Sequence, residues 1–444
     1  MLAPAAGGEN RMITADTIFA LSSGRLPSGV AVVRISGPMA RGAVLALAGE
    51  VPPARQARYG ILRHPGGGEV LDRGLQIFFP GPASATGEDV VELHLHGGRA
   101  VVAAVLSALS SLPGLRPAEA GEFTRRAHAN GKLDLSEVEG LADLISAESE
   151  AQRRQALAQA SGALSRRVES WREALLWALA MAETGLDFAD EGDVEERLGA
   201  DMRHALAPVV TEMEAALRDS QRGERVRDGV VIAIAGPPNA GKSSLLNRLA
   251  GRDVAIVSPL AGTTRDVLEI HLELAGQSVT VLDTAGLRET VDQVEAEGVR
   301  RALARAEEAH LVLWLSDEAV SPPPELGHAI LVRTKADLGG ACPRGWIALS
   351  TVEKDGLEKL LGVVGELLEA LVGGEPALIT RERQRHAVDL ALGYLRAVVE
   401  NPWVSDELKA EELRLAARAL DRTIGRIDVE DVLDRIFSTF CIGK

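Results

Sequence analysis

The residues with the clearest chemical signature lie at positions 236–243, in the sequence Gly-Pro-Pro-Asn-Ala-Gly-Lys-Ser. The segment follows a continuous apolar run and precedes helical periodicity, which is the context that a phosphate-binding loop requires. In such a loop, backbone N–H groups surround phosphates at the positive end of the helix. Lys242 is expected to reach the β- and γ-phosphates, and the Ser243 hydroxyl to bind Mg²⁺. The other contacts predicted from this loop are Asn239, Ala240, Gly241 and Ser244.

Two later segments could complete the magnesium and γ-phosphate end of the site. Thr264 lies in a polar loop, where a switch threonine could bind Mg²⁺. Asp283 follows an apolar run and could hold Mg²⁺ through water, while the Gly286 N–H could contact the γ-phosphate. The two residues between them, Thr284 and Ala285, are included in the predicted site.

Two more segments predict recognition of guanine. Asp337 can accept two hydrogen bonds from guanine, which adenine cannot supply in that geometry. A second polar segment follows residues 346–349 and could offer backbone N–H groups to the guanine oxygen. The predicted base-binding residues are Thr334, Lys335, Asp337, Ser350, Thr351 and Val352. Each signal alone is weak, but together they predict a GTPase.

Two positions depart from the Ras pattern. Leu287 follows the Asp-Thr-Ala-Gly segment, where Ras-type proteins use a glutamine that orients water. Leucine cannot hydrogen-bond water, so another group must place the nucleophile. Thr334 stands where asparagine is usual, which weakens the base-specificity signal slightly but leaves Asp337 in place.

The elements that position these residues are indicated by hydrophobic periodicity. Residues 12–130 contain short β-like runs separated by turn residues, with a helix predicted over 101–111, as in an α+β unit. From about residue 135, apolar residues such as Val138 and Ile145 recur at helical spacing, and a further apolar stripe runs from Leu164 to Ala182. Both patterns predict the core of a helix bundle. The acidic segment 187–196 is interpreted as a solvated connection rather than a metal loop.

Strand and helix patterns alternate from residue 230 to about residue 372, and helical periodicity then resumes. This order predicts a helical domain interrupted by an α/β insertion. The predicted domains are 1–130, 131–226, 227–376 and 377–444. The fold class is therefore multidomain α/β and α.

The composition limits the functions that the chain can have. Its 444 residues carry a net charge of −16, which disfavours a protein that simply coats nucleic acid. Hydrophobic residues make up 46% and charged residues 25%, which excludes global disorder. The two cysteines are far apart, and neither a signal peptide nor a membrane-spanning stretch is evident. These features predict a cytoplasmic protein without membrane association.

With these motifs and its last four residues, Cys-Ile-Gly-Lys at 441–444, the chain resembles the MnmE (TrmE) family of tRNA-modification GTPases. The resemblance covers nearly the full length. Its other marks include Gly-Val-Ala-Val-Val-Arg-Ile-Ser-Gly at 29–37, Thr-Gly-Glu-Asp at 86–89, Pro-Ala-Glu-Ala-Gly-Glu-Phe at 117–123 and Phe-Ser-Thr-Phe at 437–440.

The resemblance implies an N-terminal folate-binding and dimerising domain, a discontinuous helical domain and an inserted Ras-like GTPase domain. It also implies a cytoplasmic homodimer that works with the flavoprotein MnmG in a heterotetramer or larger complex. Together they would add an aminomethyl or carboxymethylaminomethyl group to C5 of the wobble uridine of certain tRNAs. The one-carbon donor would be a tetrahydrofolate derivative, of the methylene or 5-formyl type.

The resemblance also implies roles for individual residues of the GTPase domain. K⁺ beside the phosphates would be bound by Asn239 and by the loop that contains Ser258, Leu260 and Thr263. Such a cation can replace an arginine finger in offsetting charge on the transferred group. Glu295 matches the catalytic glutamate of the family and would orient water, although an exposed acid at a helix start is the alternative.

A second group of residues is implied for the modification chemistry. The folate site would contain Arg34, Glu92 and Lys132, with Lys444 near it, although each alone would be interpreted as a surface charge. Cys441 belongs by position to the modification function, either as a nucleophile or as a small packing residue. Cys342 has no motif and is interpreted as structural. Residues 381–385 are a candidate tRNA-binding patch, although a solvated helix start is the favoured interpretation.

An alternative function is that of an Era-like GTPase whose nucleotide state controls ribosome assembly. The N-terminal marks and the C-terminal tetrapeptide argue against it, because an assembly GTPase needs neither. The sequence does not specify the set of tRNAs or the amino donor.

Overall fold

The computed structural model describes residues 16–187, 192–251, 255–256, 269–283, 304, 306–350, 352, 355–401, 405–427, 432–433, 436–437, 440 and 442–443. The chain divides into two units, each described by itself. The first unit contains Met1–Ala142 and Ile424–Lys444, and the second contains Asp143–Thr423. In the described residues, no helix is long and apolar enough to span a membrane.

The helices and strands keep the order that the periodicity predicts. The helices are α1 (Ala40–Ala48), α2 (Arg99–Ser110), α3 (Glu122–Ala129), α4 (Leu135–Ser146), α5 (Glu150–Ala160), α6 (Ala163–Asp187), α7 (Gly192–Asp228), α8 (Lys242–Ala250), α9 (Asp355–Val372), α10 (Glu382–Glu400) and α11 (Asp406–Ile424). The strands are β1 (Thr17–Leu21), β2 (Ser28–Ser36), β3 (Arg58–Arg63), β4 (Val70–Phe79), β5 (Val90–Gly97), β6 (Leu115–Pro117), β7 (Val230–Ala235), β8 (Ala255–Ile256), β9 (Glu269–Leu274), β10 (Gln277–Asp283), β11 (Leu311–Ser316), β12 (Ile330–Arg333) and β13 (Ile347–Ala348).

The first unit is built on a mixed sheet with the strand order β3-β4-β5-β2-β1-β6. Alternate residues of β2 (Ala31, Val33 and Ile35) are fully buried, and they form a core with apolar residues of α1 and α2. Because side chains alternate across a strand, Val32 and Arg34 lie on the opposite face. The α+β fold predicted for this region is thus confirmed.

The second unit contains a sheet with the order β13-β12-β11-β7-β10-β9-β8 among the described strands. β7 is parallel to both of its neighbours, β10 and β11. Its Ile232 and Ile234 belong to one core cluster, and Ala233 and Ala235 belong to another. Burial on both faces is the reason that β7 is continuously apolar, as expected for a central parallel strand.

Long helices make up the rest of the second unit. The stripe predicted in α6 is buried, with Trp171 at 1% exposed and Ala178 at 0%. The segment 373–380, which leads from α9 back to α10, is held by side chains of earlier helices. Arg222 donates to the carbonyls of Gly373 and Glu375, and Gln159 donates to those of Ala377 and Leu378. These contacts join the α/β part to the helical part, which supports the insertion.

Some details differ from the prediction. α7 begins at Gly192, so the prediction of a non-helical connection over 187–196 is wrong from that residue onward. Acidic residues suit the positive end of a helix, so this acidic run is compatible with a helix start. Ile145 was expected in the core, but it is 44% exposed because it lies near the end of α4 (Leu135–Ser146).

Candidate functional site

The phosphate-binding loop lies between β7 and α8, as predicted. Gly236 and Gly241 have φ values of +149° and +86°, and Asn239 has a φ of +61°. Left-handed conformations at these positions turn the loop tightly before the helix begins at Lys242. Ala240 is fully buried, whereas Asn239, Ser243 and Ser244 are exposed at the loop surface and the first turn of α8.

Lys242 lies inside this loop and is 9% exposed. Its Nζ donates to the carbonyl oxygens of Gly236 and Pro237, each at 2.8 Å. A buried ammonium enclosed by its own loop suits a phosphate ligand, because anionic oxygens are stronger acceptors than carbonyl groups.

The base end of the site is formed by the loops that follow β12 and β13. The Ser350 hydroxyl donates to Asp337 Oδ1 at 2.8 Å and accepts from the Val352 N–H at 3.1 Å. Ser350 is 2% exposed, so this chain of hydrogen bonds fixes the orientation of the Asp337 carboxylate. The sequence predicted that Ser350 contributes through its backbone, and its side-chain contact was missed.

Thr334 also lies at this end and is 2% exposed. Its N–H donates to the Ser316 carbonyl, and its Oγ1 has no hydrogen-bond partner among the described residues. A Cβ built on Gly241 would lie 3.8 Å from the Thr334 Cβ, so the threonine faces the phosphate-binding loop. An unpaired buried hydroxyl there is compatible with a bound nucleotide, because buried polar atoms normally have partners.

Asp317 is a contact that the sequence analysis did not identify. Its carboxylate accepts a hydrogen bond from Lys335 Nζ at 2.6 Å, and this bond lowers the pKa of Asp317. Lys335 itself has a φ of +54°, which is uncommon for a residue with a side chain. The ion pair links the base-binding loop to the residue directly after β11. The only sequence signal for it is a carboxylate that follows an apolar strand.

Several predicted residues lie outside the described ranges. They are Ser258, Leu260, Thr263, Thr264, Thr284, Ala285, Gly286, Glu295, Thr351, Cys441 and Lys444. Asp283, which is predicted to hold Mg²⁺ through water, is the last residue of β10, whose neighbour β7 leads into the phosphate-binding loop.

The second predicted site lies on the first unit. Arg34 and Glu92 are directly opposite each other on β2 and β5. The Arg34 guanidinium donates to Glu92 Oε1 from Nε at 3.1 Å and from Nη2 at 2.8 Å. It also lies 5.8 Å from the centre of the Phe123 ring, within cation–π range. The structure therefore brings two of the predicted folate residues together as a pair.

The remaining folate predictions are less closely connected. Lys132 is exposed and follows α3, where its N–H donates to the Ala127 carbonyl. His94 lies 3.4 Å from Glu92 Oε2, and His96 is paired with Asp72 at 2.8 Å. The two histidines thus have separate carboxylate partners.

α3 is held in place by a buried ionic network. Arg126 is 5% exposed and contacts Asp16, Glu88 and Glu122. Burial alone would raise the pKa of Glu122, but hydrogen bonds from Arg116, the Glu119 N–H and Arg126 lower it below its usual value. These contacts explain why charged residues are needed in the segments 86–89 and 117–123.

Two further interpretations concern residues outside these sites, and the favoured helix start at residues 381–385 coincides with the beginning of α10 at Glu382. The arginines of the proposed tRNA patch are engaged within the protein: Arg381 with Asp143, Arg383 with the carbonyls of Arg422 and Thr423, and Arg385 with Glu224. Cys342, which was interpreted as structural, is exposed, and its thiol contacts the Trp346 carbonyl at 3.4 Å.

The chain matches two family models along its length. Residues 135–441 match the MnmE helical domain, and residues 17–132 match the GTP-binding protein TrmE N-terminus. The protein named tRNA modification GTPase MnmE from Azorhizobium caulinodans is 65% identical, over 97% of this chain and 99% of its own length. The chain belongs to the MnmE family of tRNA modification GTPases.

A second relative agrees with this assignment. The MnmE relative from Bradyrhizobium sp. is 53% identical over 96% of this chain and 99% of its own length. Among solved structures, the G domain of the T. maritima FeoB iron transporter is 25% identical over 31% of this chain and 97% of that chain, with a TM-score of 0.24. A TM-score this low does not establish a shared fold.

Proposed function

We propose that this MnmE-family protein hydrolyses GTP at the loop between β7 and α8. The observation that carries the proposal is the buried Lys242 ammonium, enclosed by left-handed loop residues at the start of a helix. Lys242 would hold the β- and γ-phosphates, and Ser243, Thr264 and Asp283 would hold Mg²⁺. Asp337, oriented by Ser350, would select guanine.

Hydrolysis requires positive charge and a positioned water in addition to this loop. K⁺ held by Asn239 with Ser258, Leu260 and Thr263 would supply the charge. Glu295 would orient the attacking water, since Leu287 cannot. The exposed, left-handed Asn239 on the loop surface suits such a role.

The first unit would carry the tRNA-modifying chemistry. A tetrahydrofolate derivative would bind at Arg34, Glu92, Lys132 and Lys444, where the paired Arg34 and Glu92 can each contact a polar group of the ligand. The folate supplies a one-carbon unit when bound. Cys441 would act there together with the flavoprotein MnmG, and the product would be a C5-aminomethyl or carboxymethylaminomethyl wobble uridine in certain tRNAs.

A homodimer is proposed from the face of the first sheet that does not pack against α1 and α2. Tyr59, Leu75, His94 and Val32 are neighbours in register across β3, β4, β5 and β2. Tyr59 is 66% exposed and Leu75 is 37% exposed. Tyr59 and Leu75 are the exposed members of this row, and their apolar surface suits contact with a second copy of the chain. The assembly would work in the cytoplasm.

Cation dependence tests the proposed hydrolysis. Replacing K⁺ with Na⁺ should slow GTP turnover strongly while nucleotide affinity changes little, because the cation would act on the transition state. Steady-state turnover and equilibrium binding of a fluorescent GTP analogue measure the two quantities. Equal turnover in both salts would contradict the proposal.

A further inference from the structure

The C-terminal segment of the chain is held within the first unit. Phe437 is 1% exposed and Phe440 is 8% exposed, and both pack with Val138 of α4. Two residues further on, Ile442 forms an antiparallel bridge with Ala120. The chain is therefore anchored on both sides of position 441.

Gly443 forms the closest of these contacts. Its φ is +101°, and a Cβ at this position would overlap the Leu21 carbonyl oxygen. The Ser22 hydroxyl donates to the Gly443 carbonyl at 2.8 Å. Ser22 is itself fixed, because its N–H donates to the Val32 carbonyl at 2.7 Å. Both the left-handed φ and the close approach require glycine here.

The residues that Gly443 and Ile442 contact, Leu21 and Ala120, lie in or next to elements that contact Arg34. Leu21 follows Ala20, which is opposite Arg34 in the pairing of β1 with β2. Ala120 precedes α3, whose Phe123 lies against the Arg34 guanidinium. The contacts of Ile442 and Gly443 thus place the C-terminal backbone next to the elements that carry the proposed folate site.

We propose that Gly443 and Ser22 are positioning residues, which dock the C-terminal segment against the strands that carry the proposed folate site, and that modification depends on this docking. The inference rests on the proposed modification function. It assigns roles to one glycine and one serine that do not themselves react.

Gly443→Ala tests the proposal in the full-length chain. The variant should undock the segment, so that carboxypeptidase removes the C-terminal residues roughly 10-fold faster or more, since strained backbone costs enough to shift such an equilibrium. Mass spectrometry measures the trimming. Wobble-uridine modification, measured by nucleoside analysis of tRNA from a complemented deletion strain, should fall to a similar extent, with unchanged GTP turnover.

Gly68→Ala is the matched control, because Gly68 has a φ of +69° but no atom within 4 Å of a built Cβ. It should leave trimming and modification unchanged. Ser22→Ala, which removes only the hydroxyl donor, should give a smaller change in the same direction as Gly443→Ala.

Two results would overturn the inference: trimming of Gly443→Ala at the wild-type rate, or full modification by a variant whose segment is trimmed rapidly. If the wild-type gene does not restore modification at all, the proposed function fails instead. Equal trimming rates would still refute docking in that case.

Discussion

In both proposed sites a glycine with a positive φ allows a close contact between backbone segments, but the sequence around the two glycines differs. Gly236 begins the phosphate-binding loop and Gly443 lies near the C-terminus, and each has a positive φ. A Cβ on Gly236 would overlap the carbonyl oxygen of Leu315, and one on Gly443 would overlap that of Leu21. In each case a glycine lets one segment pack directly against a carbonyl at the end of a strand.

The two settings differ in sequence distance. Gly236 is followed within a few residues by Asn239, Gly241 and Lys242, so the loop folds largely within itself. The Gly443 carbonyl accepts a hydrogen bond from the Ser22 hydroxyl, and the two residues are 421 positions apart in the sequence. Residues that form a site within one short segment appear in the sequence as a recognisable motif. Residues that come from the two ends of the chain appear as separate segments, and only the family resemblance connects them.

Gly236→Ala should have the largest effect on the local site. The added Cβ would displace the loop from the end of β11, and a misplacement of about 1 Å can cost ~10²-fold in rate. Steady-state GTP turnover measures the loss. Gly276→Ala is the matched control, because Gly276 has a φ of +75° but open space around a built Cβ. Near-normal turnover by Gly236→Ala would mean that the close approach is not required.

Ser350→Ala should have an intermediate effect, confined to nucleotide binding. Loss of the hydrogen bond to Asp337 should weaken GTP affinity by roughly 10-fold, the scale of a hydrogen bond to a charged group, and leave kcat nearly unchanged. Titration with a fluorescent guanine nucleotide measures the affinity. If affinity is unchanged, Asp337 is oriented by other contacts.

The smallest expected effect concerns the ionic network of Arg126 with Asp16, Glu88 and Glu122. This network should make the local stability of α3 depend on pH. The pKa of Glu122 is lowered in the folded state, so its contribution is fully present above the usual value of 4.5. It is lost as the pH falls through the lower, folded pKa. Hydrogen-exchange protection of α3, corrected for intrinsic rates, should therefore decline in acid.

Glu122→Gln supplies the comparison for this pH dependence, because the amide has nearly the same size but does not titrate. The variant should show lower protection of α3 already at neutral pH, since Arg126 loses a charged partner in a buried position. A wild-type acid profile in this variant would show that the pH dependence does not come from Glu122.

Much of the fold could be predicted because burial leaves a direct pattern in the sequence. The continuous apolar run of β7 indicated burial on both faces, and the spacing from Leu164 to Ala182 indicated the buried stripe of α6. The start of α7 could not be predicted, because acidic residues are equally common in solvated loops and at helix starts.

The candidate sites were predicted unevenly for a related reason. The residue types of the phosphate-binding loop are determined by backbone conformation, which acts over a few residues. The partners of Arg381 and Lys335, in contrast, are the distant Asp143 and Asp317. No spacing rule identifies such partners, so the sequence indicated a helix start at residues 381–385 but not the ion pairs that Arg381 and Arg385 form there.

The central claim is that one chain carries two separable chemistries, hydrolysis at the phosphate-binding loop and tRNA modification at the folate-binding unit. Cys441→Ser tests it most directly, because serine keeps the size of the side chain but is a far weaker nucleophile. The paired measurement is GTP turnover of the purified variant and nucleoside analysis of tRNA from a deletion strain that expresses it. We predict unchanged turnover and lost wobble-uridine modification. Full modification would contradict a chemical role for the thiol, and loss of turnover would contradict the separation of the two sites.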